Sequence, residues 1–266
     1  SSDLGDPMTA KARRARIEER ILAEGELDFA SLASDFAVSE MTIRRDIEAL
    51  EDKGVVRRVW GGVIAFAGKS SEPSFESRAA EASAEKAHIA EATVALLQPH
   101  ETVLLDSGST VLAVAKALKG RGLGLTVVTP SLLVAVELAD EPDTTVLIAG
   151  GRVRPGELSL IGPETEEAFQ RYNCDTYVMG IAGIDAVRGV SEYHREEGSV
   201  KRAAVRAADR IIVVADDSKL GRVQLMNVAP MRDLSAIVTD GEPDHPALVA
   251  ARAAGRARIG EPATRE

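Results

Sequence analysis

"VSEMTIRRDIEALEDKG", Val38 to Gly54, sets a serine before a helical run that carries two adjacent arginines. Ile43, Ile47 and Leu50 recur at i, i+4 and i+7, the spacing of one buried helical stripe. Ser39 is placed to cap the helix and Gly54 to stop it. On a helical wheel Arg45 and Glu48 point away from the stripe, and Arg44 lies at its edge. Thr42 flanks the opposite edge in the first turn. An arginine pair on a helix is usually solvated charge, so its meaning depends on the flanking chain.

On the N-terminal side, Ile17, Ile21 and Leu22 mark a helix from Arg13 to Glu24, ended by Gly25. Leu27 and Phe29 alternate as a short extended piece, and Leu32, Ala33 and Phe36 make a second helical face. Ala37-Val38 then turn the chain. On the C-terminal side, "VVRRVWGGV" reads as two strands around a Gly61-Gly62 turn, with Arg57 and Arg58 on the first. Three helices and a β-wing make a winged helix-turn-helix over residues 8–64. There the helix after the turn enters the major groove N-terminal end first, and arginine can bridge guanine O6 and N7. The candidate DNA contacts are Ser39, Thr42, Arg44, Arg45, Arg57, Arg58 and Gly61.

The bulk charge lends no help. The 266 residues carry a formal charge of −10, so any nucleic-acid site must be local. Hydrophobic residues make up 45% of the chain, enough for more than one core. The lone cysteine, Cys174, excludes an intrachain disulfide and fits a reducing cytoplasm. No apolar run reaches the roughly 18 residues of a membrane span. No secretory leader is read at the N-terminus, and Ser1–Pro7 are expected to be a loose tail. The expectation is a cytoplasmic protein without membrane association.

Residues 65–80, rich in Ala, Ser, Gly and Glu, read as a linker, and a helix from about Glu81 to Leu97 opens a second domain over 81–266. Strand-like "TVLLD", "LTVVT", "TTVLIAGG", "TYVMGIAG", "RIIVVAD" and "AIVTD" alternate there with helical segments. That is the pattern of an α/β fold with a largely parallel sheet. Ligands of such folds bind at the carboxyl ends of the strands. Four loops fall at that edge. "DSGST" (Asp106–Thr110) offers backbone N–H groups and a helix N-terminus to a phosphate. "TPS" (Thr129–Ser131) is a second hydroxyl-bearing turn. In "GGRV", Gly150 and Gly151 allow close backbone approach and Arg152 offers a fork to an anion. "DDSKLG" presents Lys219.

"VSEMTIRRDIEALEDKGVVRRVWGG" resembles the DNA-binding domain of the DeoR family of bacterial transcriptional regulators. Ile47 replaces the family's usual leucine and Trp60 stands where histidine is common. The second domain is similar to the family's sensor through "EKAHIA", "DSGST", "VVTPS", "GG", "SLIG", "GID" and "DDSKLG". The resemblance implies a sensor related in fold to sugar-phosphate isomerases, and a phosphorylated sugar or polyol as effector. It implies that Gly108, Ser109 and Thr110 hold the phosphate with Lys219 opposite, while Asp106 and Asp185 meet sugar hydroxyls. Glu192, Tyr193, His194 and Arg195 would tune which sugar fits, His194 being otherwise a surface histidine. "GELSLIG" would cover the pocket. The implied role is a repressor of a carbohydrate or polyol operon, not an enzyme, binding double-stranded operator DNA as a homodimer or homotetramer. The competing reading is a sugar-phosphate isomerase or deaminase with a fused domain, using Asp106, Asp185 or Glu192 as base. An isomerase has no use for a base-reading helix. Four scattered histidines and one cysteine suggest neither a metal site nor a cofactor.

Overall fold

The computed structural model describes residues 9–51, 55–65, 72–254 and, for the backbone alone, 258–260. Gly54 and linker residues 66–71 lie outside the described residues. The chain divides into two compact units, with the boundary between Glu81 and Ala82.

The first unit contains α1 (Ala10–Glu24), β1 (Glu26–Asp28), α2 (Phe29–Asp35), α3 (Glu40–Glu51), β2 (Val56–Val59), β3 (Gly62–Ala65) and α4 (Phe75–Ala80). The first helix starts earlier than its apolar stripe indicates, because the Thr9 hydroxyl caps it by accepting from Ala12 N at 3.2 Å. Asp28 likewise caps α2, accepting from Ser31 N at 2.8 Å. Phe29 therefore enters a helix rather than continuing a strand. The strands β1, β3 and β2 form a small antiparallel sheet in that order. Ile17, Ile21, Leu32, Ile43, Ile47, Leu50, Val56 and Val63 are buried together as the core. Each such side chain contributes about 1.5–3 kcal/mol on burial. Part of the stretch read as linker is helical: Ser74 caps α4 through Ser77 N.

The second unit runs α5 (Ser83–Val94), β4 (Thr102–Leu105), α6 (Ser109–Leu118), β5 (Thr126–Thr129), α7 (Leu132–Leu138), β6 (Thr145–Ile148), β7 (Arg152–Arg154) and β8 (Ser159–Ile161). It continues with α8 (Pro163–Phe169), β9 (Cys174–Gly180), β10 (Gly183–Asp185), β11 (Gly189–Glu192), α9 (Arg195–Arg206) and β12 (Ala208–Val214). It closes with β13 (Met226–Ala229), β14 (Ala236–Val238), α10 (Pro246–Ala253) and β15 (Arg258–Gly260). Seven strands form one sheet in the order β15-β14-β12-β9-β4-β5-β6, every pairing parallel.

The near-continuous apolar strands follow from helices on both faces. Tyr177, Met179, Ile211, Val213 and Ile237 pack on one side with Val200 of α9 and Leu248 of α10. Val178, Ile212, Val214 and Val238 pack on the other with Ile89, Val111, Val114 and Val134. Two small antiparallel groups, β7–β8 and β10–β11–β13, escaped the sequence reading. Their strands have three or four residues, too few to show a period. From β4 the chain steps outward through β5 and β6, then returns to lay β9 on the other side of β4. The β4–β9 junction is thus the topological switch point, where parallel sheets of this kind leave a crevice.

Candidate functional site

In the first unit, α3 presents its candidate residues unequally. Ser39 Oγ accepts from Thr42 N at 3.2 Å and lies 3.0 Å from Thr42 Oγ1, so both hydroxyls serve the helix cap. The Arg44 guanidinium stacks 4.3 Å above the Phe29 ring and reaches 3.6 Å from Glu40. Arg45 is exposed and has no ion-pair partner among the described residues. Asp46, next in the chain, is buried: Arg13 Nε donates to it at 2.6 Å and Arg14 Nε stands 3.7 Å away. The acid in "RRD" thus fastens α1 to α3, a role the sequence did not disclose. On the wing Arg58 is tied back to Glu51, its backbone N at 2.9 Å and Nε at 2.5 Å. Arg57 is exposed with no such tie among the described residues. Gly61 forms the hairpin tip at φ 79°, where glycine carries no steric penalty. The free cations on the described part of α3 and the wing are therefore Arg45 and Arg57.

In the second unit, the loops after β4, β5, β6 and β12 all leave the same edge of the sheet. Gly108 precedes α6 at φ 105°, and no side chain caps that helix. Its first N–H groups and its dipole are directed at this edge. Thr110 is buried and Ser109 half-buried beside it. Thr129 Oγ1 accepts from Ser131 N at 3.1 Å, and Ser131 Oγ caps α7 through Val134 N at 3.3 Å. Both hydroxyls are engaged in shaping the turn. Gly150 lends its carbonyl to Thr165 Oγ1 at 2.7 Å, and Gly151 backs directly onto that threonine. Arg152, read as an anion fork, is exposed and held by Glu196 at 2.6 Å. Asp185 Oδ1 accepts from the N–H groups of Val187 and Arg188 at 3.0 and 2.8 Å, which lowers its pKa. Lys219 Nζ donates to Ser218 Oγ at 3.0 Å and stands 3.9 Å from Asp216.

The centre of this edge is a buried charge cluster. Lys201 of α9 donates to Asp106 Oδ2 at 2.5 Å and to the Gly180 carbonyl at 2.9 Å, at the ends of β4 and β9. Glu192 Oε2 lies 3.5 Å from the same ammonium. Burial alone would lower the Lys201 pKa, but Asp106, Glu192 and Glu197 together raise it. Burial and the neighbouring Asp106 charge push Tyr177 well above its ordinary value. Glu197 accepts from Ser159 Oγ at 2.7 Å and faces Arg154 at 2.9 Å. Burial would raise Glu197, yet Arg154, Lys201 and the serine bond hold it low.

Sequence reading missed Lys201 and Lys86. Lys86, in "EKAHIA", is buried with Nζ 3.9 Å from Asp216. The available signal for Lys201 was its position one turn after Glu197, on the stripe with Val200 and Ala204. Asp106, which the resemblance gave to a sugar hydroxyl, also accepts from Lys201 and from Ser107 N. His194 is half-buried, with its Nδ1 enclosed at the start of α9.

Residues 81–241 match the DeoR C terminal sensor domain and residues 13–67 the DeoR-like helix-turn-helix domain. The chain belongs to the DeoR family of transcriptional regulators. Among DeoR-family relatives, it is 34% identical over 229 residues to the transcriptional repressor AccR of Agrobacterium fabrum, covering 86% of this chain and 88% of that one. It is 30% identical over 236 residues to the glycerol-3-phosphate regulon repressor of Escherichia coli, covering 89% and 93% respectively. Ribose 5-phosphate isomerase A of Methanocaldococcus jannaschii is a distant structural likeness, with a TM-score of 0.38 at 13% identity over 53% of this chain and 55% of that one. Among the described residues of this DeoR-family chain, no helix is long and apolar enough to cross a membrane.

Proposed function

We propose that this DeoR-family regulator is a repressor of a carbohydrate or polyol operon, released or engaged by a phosphorylated sugar or polyol bound at the β4–β9 switch point. The observation that carries the reading is an uncapped α6 N-terminus that follows directly on the buried Asp106–Lys201–Glu192 cluster at the ends of β4 and β9, so that two opposite chemistries are offered at one edge. The α6 N-terminus after Gly108, with Ser109, Thr110 and Lys219, suits an anion. The carboxylates Asp106, Glu192 and Asp185 suit hydroxyl groups and would repel a second phosphate. A ligand with one phosphate and several hydroxyls satisfies both. The effector would change operator affinity by a coupling free energy of about 1–3 kcal/mol. Residues 65–80 would link the domains 8–64 and 81–266. The protein would act in the cytoplasm as a homodimer or homotetramer, two winged helices reading paired half-sites.

The DeoR-like helix-turn-helix domain on the same chain supports sensing over turnover, since an isomerase has no use for a base-reading helix. The deciding experiment is thermal unfolding against sugars and polyols, each with and without phosphate. A ligand at 100 times its Kd adds about 2.7 kcal/mol of stability. A shift with one phosphorylated compound and not its free sugar is expected. Silence across the panel, or conversion of ribose 5-phosphate, overturns the reading.

A further inference from the structure

Trp60 is the chain's single tryptophan, and it is completely exposed, at 102% of the reference surface. Scattered exposed apolar residues are ordinary, but this one has a particular place. Val59 pairs with Gly62, so Trp60 and Gly61 are the whole loop of the β2–β3 hairpin. The Gly61 carbonyl accepts from Phe29 N at 3.1 Å, which anchors the backbone of the tip, while nothing lies within 4 Å of where a Gly61 side chain would project. Arg57, on the strand that leads into this tip, is exposed and unpaired among the described residues, while Arg58 is tied back to Glu51. The wing thus offers an exposed cation and an exposed indole on one hairpin. The minor groove accepts that pair. Its walls are phosphates, which take the guanidinium. Apolar side chains enter it alongside arginine and lysine.

We propose that Trp60 is a DNA contact: the wing tip enters the minor groove, with the indole against the sugar edge and Arg57 on the adjoining phosphate. The proposal rests on the DNA-binding role of the winged helix. The contact is uncharged and does not read bases, so it strengthens binding to every duplex alike. An exposed residue supports no core, so Trp60→Ala leaves the unfolding temperature unchanged.

The test uses the full chain and a mixed-sequence DNA duplex at low salt. Anisotropy of a labelled duplex reports binding, and tryptophan emission with unlabelled duplex reports Trp60 alone. The expected result is a saturable change in emission that follows the anisotropy curve. Trp60→Ala should weaken binding roughly 5- to 30-fold at every sequence tried, with an unchanged salt slope. A rise in anisotropy without any change in emission overturns the Trp60 contact and leaves the DNA-binding role standing. No rise with the wild-type chain overturns both. Emission that shifts with protein concentration in the absence of DNA also overturns the proposal, since it marks the indole as a contact with a second copy.

Discussion

The α3–wing surface and the switch-point cluster use the same side chains for opposite ends. On α3 and the wing, Arg45 and Arg57 stand in water without partners among the described residues. At the switch point, Lys201 and Asp106 are buried and bonded to each other at 2.5 Å. An exposed cation is cheap to keep and available to a polyanion. A buried one is tolerated only when its partners are complete, and removing one partner strands the other. A change at the first surface therefore costs binding to a partner, and a change at the second costs stability.

The sharpest test of that contrast is Lys201→Met. It leaves Asp106 and Glu192 buried beside an apolar chain, and should destabilise the protein by about 3–5 kcal/mol in urea unfolding. A change below 1 kcal/mol would mean that the cluster is solvated and resembles the α3 surface after all. Lys219 tests the middle ground, since its side chain is 14% exposed and only loosely paired with Asp216. Lys219→Ala should weaken binding of a phosphorylated effector by about 1.5–3 kcal/mol, with operator affinity intact when measured without effector. Full effector response in that variant would remove Lys219 from the site.

On the other side of the comparison, Arg45→Ala should weaken operator binding by about 1–3 kcal/mol and relax base preference at one position. Its thermal unfolding should match the wild type, because the side chain touches no core. Equal affinity for all operators would show that Arg45 reads no base. Smallest is Arg57→Ala, expected to weaken binding evenly across sequences and to lower the salt slope by about 1. A loss confined to one operator would contradict a phosphate contact.

The legibility of the two regions also differed. The helices of the first unit could be read from periodicity, because Ile43, Ile47 and Leu50 each face a single small core. Which arginines remain free could not, since that depends on Phe29 and Glu51, brought to Arg44 and Arg58 by the fold. The parallel strands were legible as apolar runs bounded by loops. The short antiparallel pieces were not, and neither was the cluster they frame.

The order of elements, the capped helix that carries Arg44 and Arg45, and the loops that end at one edge of the sheet were all legible in the amino-acid order. Those are local properties: periodicity, capping and turn chemistry act over a few residues. Tertiary structure alone decided that Asp106 meets Lys201, 95 positions later in the chain, and that Asp46 binds Arg13. The energy of a charge depends on what surrounds it once water is gone, and that surrounding is assembled from distant segments.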